Sequence, residues 1–90
     1  MARTAPLERL EKGVKFARKG DLIAAIDCFS EVIEANPEFT AAYNNRGISY
    51  ASQGEYEKAI EYFKKVIEIA TSDEQRHIDF SKKMIKELSE

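Results

Sequence analysis

Apolar residues recur along this chain at steps of three and four, which is the spacing of one face of an α-helix. In one segment these residues are Ile26, Phe29, Val32 and Ile33. Further along, the same spacing returns at Ile60, Phe63, Val66 and Ile67. No run alternates polar and apolar residues as a half-buried strand would. The pattern predicts amphipathic helices and an all-α fold.

The helical pattern repeats itself after about 34 residues, without gaps. The coinciding pairs include Gly13 and Gly47, Ala17 and Ala51, Gly20 and Gly54, Ala25 and Ala59, Phe29 and Phe63, and Val32 and Val66. Self-similarity at such a period is typical of stacked helical repeats. The sequence therefore predicts a single domain, 1–90, with one repeat at about 6–39 and a second at about 40–73.

Each repeat carries a signal that ends one helix and begins another. Gly20 stands before Asp21, and Gly54 stands before Glu55. Glycine closes a helix C-terminus in the left-handed conformation, and an acidic side chain favours the N-terminus of the next helix. Each repeat is therefore predicted to be a helical hairpin.

Glycine also occurs inside the first helix of each predicted hairpin, at Gly13 and Gly47. There it costs about 1 kcal/mol relative to alanine. A close approach of the second helix would compensate, and the small Ala25 and Ala59 suit such a contact. We therefore predict a tight crossing within each hairpin.

A fifth helix is predicted at about 74–88. Ser72 and Gln75 have the spacing of a capping box, which starts the helix near Glu74. Ile78 and Ile85 lie on one face of it, together with Ser81. We expect this face to cap the second hairpin, and the cap to complete the domain.

The second repeat resembles the tetratricopeptide repeat, a helical hairpin of 34 residues. The residues that carry the resemblance are Tyr43, Gly47, Tyr50, Ala59, Phe63 and Val66. The first repeat is similar but has Arg9 and Lys12 where the family usually has large apolar residues, as suits an exposed end of a stack. Arg46 departs in the same way, and the sequence gives no reason for it. The resemblance implies a right-handed superhelical stack of antiparallel hairpins, with five helices in all.

The resemblance also implies a non-enzymatic scaffold or adaptor that holds a peptide in a concave groove, lined by the first helix of each repeat. On this chain the groove residues would be Leu10, Val14, Asn44, Asn45, Ile48, Ser52 and Asp79. The two asparagines would hydrogen-bond a peptide backbone, or would only be solvated near a helix start. The apolar residues Leu10, Val14 and Ile48 would be exposed anchors, or would be buried by the curvature of a short stack.

Family members that clamp the C-terminal carboxylate of chaperones use lysine and arginine on the third such helix. This chain has Gln75 and Asp79 there, and only Asn45 matches the clamp. A bound carboxylate would lack a cation, so we do not expect that specificity.

Composition and charge argue against several other classes of function. Fourteen Lys and Arg balance sixteen Asp and Glu, for a net charge of −2, which does not favour nucleic acid or an anionic membrane. Cys28 and His77 are single residues of their types, so we expect no disulfide, metal site, cofactor or catalytic pair. Neither a membrane span nor a secretory signal is apparent, the latter judged on residues 1–6.

We therefore expect a cytoplasmic protein that binds a protein or peptide partner. The alternative is self-association, for example as a homodimer, because at least three repeats are usually needed for a stable stack and this chain has two plus a cap.

Overall fold

The computed structural model describes residues 5–90, so residues 1–4 of the predicted domain, including most of the segment in which a secretory signal was sought, lie outside it. The described chain folds into five α-helices and contains no strand, which confirms the all-α prediction. The helices are α1 Pro6–Arg18, α2 Leu22–Ala35, α3 Thr40–Ser52, α4 Tyr56–Ile69 and α5 Gln75–Ser89, with a short 3₁₀ turn at Ser72–Glu74. Each helix packs on the next one along the chain, and α3 also touches α1 and α5. The result is a stack of two hairpins closed by a single helix.

The turns within the two hairpins have the same conformation. Gly20 and Gly54 adopt φ angles of 83° and 81°, as the predicted helix stops require. Asp21 then caps α2, because its carboxylate accepts a hydrogen bond of 3.2 Å from the Ala24 N–H. Glu55 occupies the equivalent position before α4 but makes no capping bond, and it pairs with Lys58 at 3.3 Å instead.

The interior glycines allow the close packing of the two helices of each hairpin that the sequence predicts. A Cβ added at Gly13 would lie 2.6 Å from Cε1 of Phe29 and 3.0 Å from Cβ of Cys28. A Cβ at Gly47 would lie 3.1 Å from the ring of Phe63. The atoms nearest to each glycine therefore belong chiefly to a buried aromatic ring on the second helix of the hairpin.

The core runs through both repeats at equivalent positions. Phe29 and Val32 in α2, and Phe63 and Val66 in α4, are at most 1% exposed. Burying such a side chain contributes about 1.5–3 kcal/mol. Ala42, at the start of α3, joins the core of the first hairpin and so connects the two repeats.

Helix α5 packs on the second hairpin in the register of another repeat. Ser81 lies 34 residues after Gly47 and is completely buried, so a small residue again stands at the crossing. Phe80 meets Phe63 edge to face, with ring centres 5.9 Å apart.

The capping box before α5 lies one residue earlier than predicted. Its residues are Thr71 and Glu74, and α5 begins at Gln75. The Glu74 carboxylate accepts hydrogen bonds from the Thr71 N–H at 3.1 Å and from the Thr40 hydroxyl at 3.0 Å. Thr71 and Glu74 have the same three-residue spacing as Ser72 and Gln75, so local spacing fits both pairs, whereas the bond from Thr40 of the second hairpin is made by Glu74.

Candidate functional site

The first helices of the repeats and α5 lie side by side, since α3 touches both α1 and α5. Three rows of residues spaced by 34 run across them: Leu10, Asn44 and Ile78; Glu11, Asn45 and Asp79; and Val14, Ile48 and Lys82. We call the surface formed by Val14, Asn44, Asn45, Ile48, Ser52 and Asp79 the first-helix face.

The apolar groove residues divide between core and surface. Leu10 is only 8% exposed and packs in the core of the first hairpin, so it does not offer an exposed anchor. Val14 is half-buried beside it, whereas Ile48 in α3 is 37% exposed. Packing in the core of the first hairpin thus buries one end of the expected apolar strip and leaves Ile48 and part of Val14 on the surface.

The adjacent asparagines of α3 are both half-buried and have different partners. The side-chain amide of Asn45 donates a hydrogen bond of 2.9 Å to the carbonyl of Ala41, one turn earlier. The side-chain oxygen of Asn44 is buried and has no hydrogen-bond partner among the described residues. A buried acceptor without a partner costs about 1–3 kcal/mol, so Asn44 is unsatisfied in the unbound protein.

The remaining polar residues of the first-helix face are exposed. Asp79 accepts a hydrogen bond of 2.9 Å from the side chain of Gln75 on α5. Ser52 lies at the end of α3. Glu11 and Asp79 place two exposed carboxylates in one row with Asn45 between them. This row favours hydrogen-bond donors and cations in a ligand over a carboxylate.

A second group of side chains, which the sequence interpretation missed, lies between α3 and α4. The Arg46 guanidinium lies over the ring of Tyr62, with its carbon 4.5 Å from the ring centre. Tyr62 stacks on Tyr50 with 5.4 Å between ring centres, and Nζ of Lys58 lies 5.4 Å from the centre of the Tyr50 ring. We call Tyr43, Arg46, Tyr50, Lys58 and Tyr62 the arginine–tyrosine cluster.

Two signals in the sequence point to this cluster. Arg46 and Tyr50 are four residues apart, as are Lys58 and Tyr62, so each pair shares one helix face.

Burial raises the pKa of the Tyr62 hydroxyl, against the lowering effect of Arg46, so this hydroxyl keeps its proton at neutral pH. Arg9, another departure from the family pattern, pairs with Glu31 of α2 at 2.9 Å.

A family model described as the tetratricopeptide repeat matches residues 40–73, which contain α3, the turn and α4. Residues 40–73 are therefore similar to a tetratricopeptide repeat, and the five helices of the described chain are consistent with a tetratricopeptide-like stack of hairpins with an additional helix. Repeats of this family generally mediate protein–protein interaction and are typically non-enzymatic. A search of curated proteins gave no significant match. Within residues 5–90, no helix is both long and apolar enough to cross a bilayer.

Proposed function

We propose that this protein is an adaptor that binds a peptide segment of a partner protein along the first-helix face. The observation that carries the proposal is the pair Val14 and Ile48. These residues are equivalent in the two repeats, lie on neighbouring helices and keep part of their apolar surface open. An apolar side chain of the peptide packs on Ile48 and the edge of Val14. Burying one such side chain supplies about 1.5–3 kcal/mol.

The polar residues around this apolar surface support the orientation of a peptide. Asn44 gains a hydrogen bond when a small movement of its side chain brings the unpaired oxygen to a peptide N–H. Asp79 and Glu11 attract a lysine or arginine of the peptide to the row that also contains Asn45. The preferred ligand is therefore a peptide with one large apolar residue close to a basic one.

Selection from a random peptide display library tests this function. Peptides enriched on the wild-type protein are measured against Ile48→Asp and against Ile23→Asp. Ile23 is the matched control because it is 70% exposed and lies on α2, outside the first-helix face. Loss of binding in Ile48→Asp alone supports the proposal. Peptides that bind both variants equally well contradict it.

The competing hypothesis is that Ile48 and Val14 serve self-association. Light scattering over a concentration series distinguishes the two, with Ile48→Asp as the test variant. Leu10→Asp is unsuitable because Leu10 is buried, and a charge there would unfold the first hairpin. A wild-type dimer that Ile48→Asp dissociates would favour self-association. A monomer at all concentrations would favour the peptide-binding function.

A further inference from the structure

We propose that the arginine–tyrosine cluster is a binding site for an oxyanion, either a carboxylate or a phosphate group. The site is separate from the first-helix face. Arg46 precedes Ile48 by two residues, which places the two side chains about 200° apart around α3. The proposal therefore does not depend on peptide binding at Ile48.

The hydrogen-bonding state of Arg46 is the first argument. Its Nε is buried and has no hydrogen-bond partner among the described residues, and no carboxylate in residues 5–90 lies within ion-pair distance of its guanidinium. A half-buried cation without a counter-charge is unfavourable, since desolvation is not offset by pairing. An oxyanion supplies the missing charge and accepts hydrogen bonds from the guanidinium N–H groups.

Contact with the tyrosine rings positions the guanidinium without satisfying it. A guanidinium over an aromatic face is attracted by the electron-rich ring. Arg46 lies 4.5 Å from the ring centre of Tyr62 and 5.8 Å from that of Tyr50. These contacts fix the guanidinium between two helices, yet a ring face accepts no full hydrogen bond from its N–H groups. Arg46 is thus preorganised for a planar, two-oxygen acceptor.

The surroundings of Arg46 supply further groups for an anion. Lys58 is the second cation of the cluster, and its 3.3 Å pair with Glu55 is exposed and therefore weak. The protonated Tyr62 hydroxyl is a potential donor. Glu61 is the neighbouring carboxylate that opposes an anion, but it makes no ion pair with Arg46. Carboxylate and phosphate share the required chemistry, because each presents two oxygens to one guanidinium.

The test uses nuclear magnetic resonance of the ¹⁵N-labelled wild-type protein. The Nε–Hε signal of Arg46, assigned by its absence in Arg46→Lys, is followed during addition of sodium phosphate, sodium acetate or sodium chloride at fixed pH and ionic strength. A saturable shift with phosphate or acetate supports the proposal, and the stronger of the two identifies the source. A response to both no larger than the response to chloride would overturn it.

Two leucine variants complete the test. Arg46→Leu places at this position an apolar residue, as is usual in the family. The backbone signals of Tyr62 then report any remaining binding. We expect anion affinity to fall by at least about tenfold, in keeping with the loss of charged hydrogen bonds. Arg76→Leu removes an exposed arginine from α5 and should leave the affinity unchanged. Equal losses in both variants, or no loss in Arg46→Leu, would refute the site.

Discussion

The hydroxyl of Thr40 donates a hydrogen bond of 3.0 Å to the carboxylate of Glu74, 34 residues further along the chain. Thr40 is the first residue of α3, and Glu74 immediately precedes α5. Because the Thr71 N–H donates to the same carboxylate oxygen at 3.1 Å, one side chain both caps the last turn and joins it to the second hairpin. The bond between Thr40 and Glu74 therefore ties the residue that precedes α5 to the first residue of α3, one repeat period earlier.

Glu74 should make the stability of the protein depend on pH. Its pKa lies below the ordinary value of 4.5, chiefly because the Thr71 N–H stabilises the carboxylate, with smaller contributions from the hydroxyls of Thr40 and Thr71. A lowered folded-state pKa adds stability above the unfolded-state pKa, and this stability is lost as the pH falls through the folded-state value. We expect wild type to be more stable than Glu74→Gln near neutral pH, and the difference to shrink below pH 4.5.

Urea denaturation of both proteins from neutral to acidic pH measures this difference. Thr40→Val removes one of the hydrogen bonds to Glu74. In that background, the stability difference that Glu74→Gln produces should be smaller. A stability difference that stays constant over the whole range would show that the carboxylate charge is not what Glu74 contributes.

The two interior glycines should differ in their tolerance of alanine. Alanine gains about 1 kcal/mol of helix propensity, but overpacking a core costs about 1–3 kcal/mol. At Gly13 the new Cβ would approach Phe29 to 2.6 Å, whereas at Gly47 the closest ring atoms of Phe63 are 3.1 Å away. We expect Gly13→Ala to lower the free energy of unfolding by about 1–2 kcal/mol, and Gly47→Ala to stay within about 0.5 kcal/mol of wild type. Urea denaturation decides this, and the reverse order of stability would contradict the packing described above.

The acids that precede α2 and α4 should contribute unequally. The capping bond of Asp21 to Ala24 is worth about 1 kcal/mol, so Asp21→Ala should lower the free energy of unfolding by that amount. Glu55 makes only an exposed pair with Lys58, which contributes about 0–1 kcal/mol. Thermal denaturation of Asp21→Ala and Glu55→Ala compares them. An equal loss in the two variants would mean that Glu55 also caps its helix in solution.

Leu10 and Ile48 should separate core stability from surface function. Removing the buried Leu10 side chain leaves a cavity and should cost about 2–4 kcal/mol, a large share of the stability of so small a domain. Ile48→Ala, at a site that is 37% exposed, should cost less than about 1 kcal/mol. Chemical denaturation of the two alanine variants measures both values. A small loss of stability for Leu10→Ala would contradict the burial of Leu10 and would make it an exposed anchor, one of the two roles that the sequence left open.

The repeat period was enough to predict the architecture. Glycine and aromatic residues at the same positions of two segments identified the hairpins, and Gly20 and Gly54 adopt the left-handed conformation that their place in the turns predicted. The close contact at Gly13 was also predictable. That Phe29 fills it was not, because this depends on where the ring lies after α2 has packed.

The candidate site was harder to predict because burial is decided between helices. Leu10 and Ile48 are both apolar residues on first helices, yet only Ile48 remains on the surface. Arg46 was visible in the sequence as a departure from the family pattern. Its position over Tyr62 joins residues 16 apart on two helices, and helical periodicity within one element does not predict such a contact.

Peptide binding on the first-helix face is tested most directly by one comparison of affinities. A labelled peptide selected on the wild-type protein is titrated by fluorescence anisotropy with wild type, Ile48→Asp and Ile23→Asp, after circular dichroism has established that all three are folded. We predict that Ile48→Asp weakens binding by about tenfold or more, since an apolar contact is replaced by a desolvated charge, and that Ile23→Asp binds as wild type does. Equal affinity of all three proteins would contradict the account.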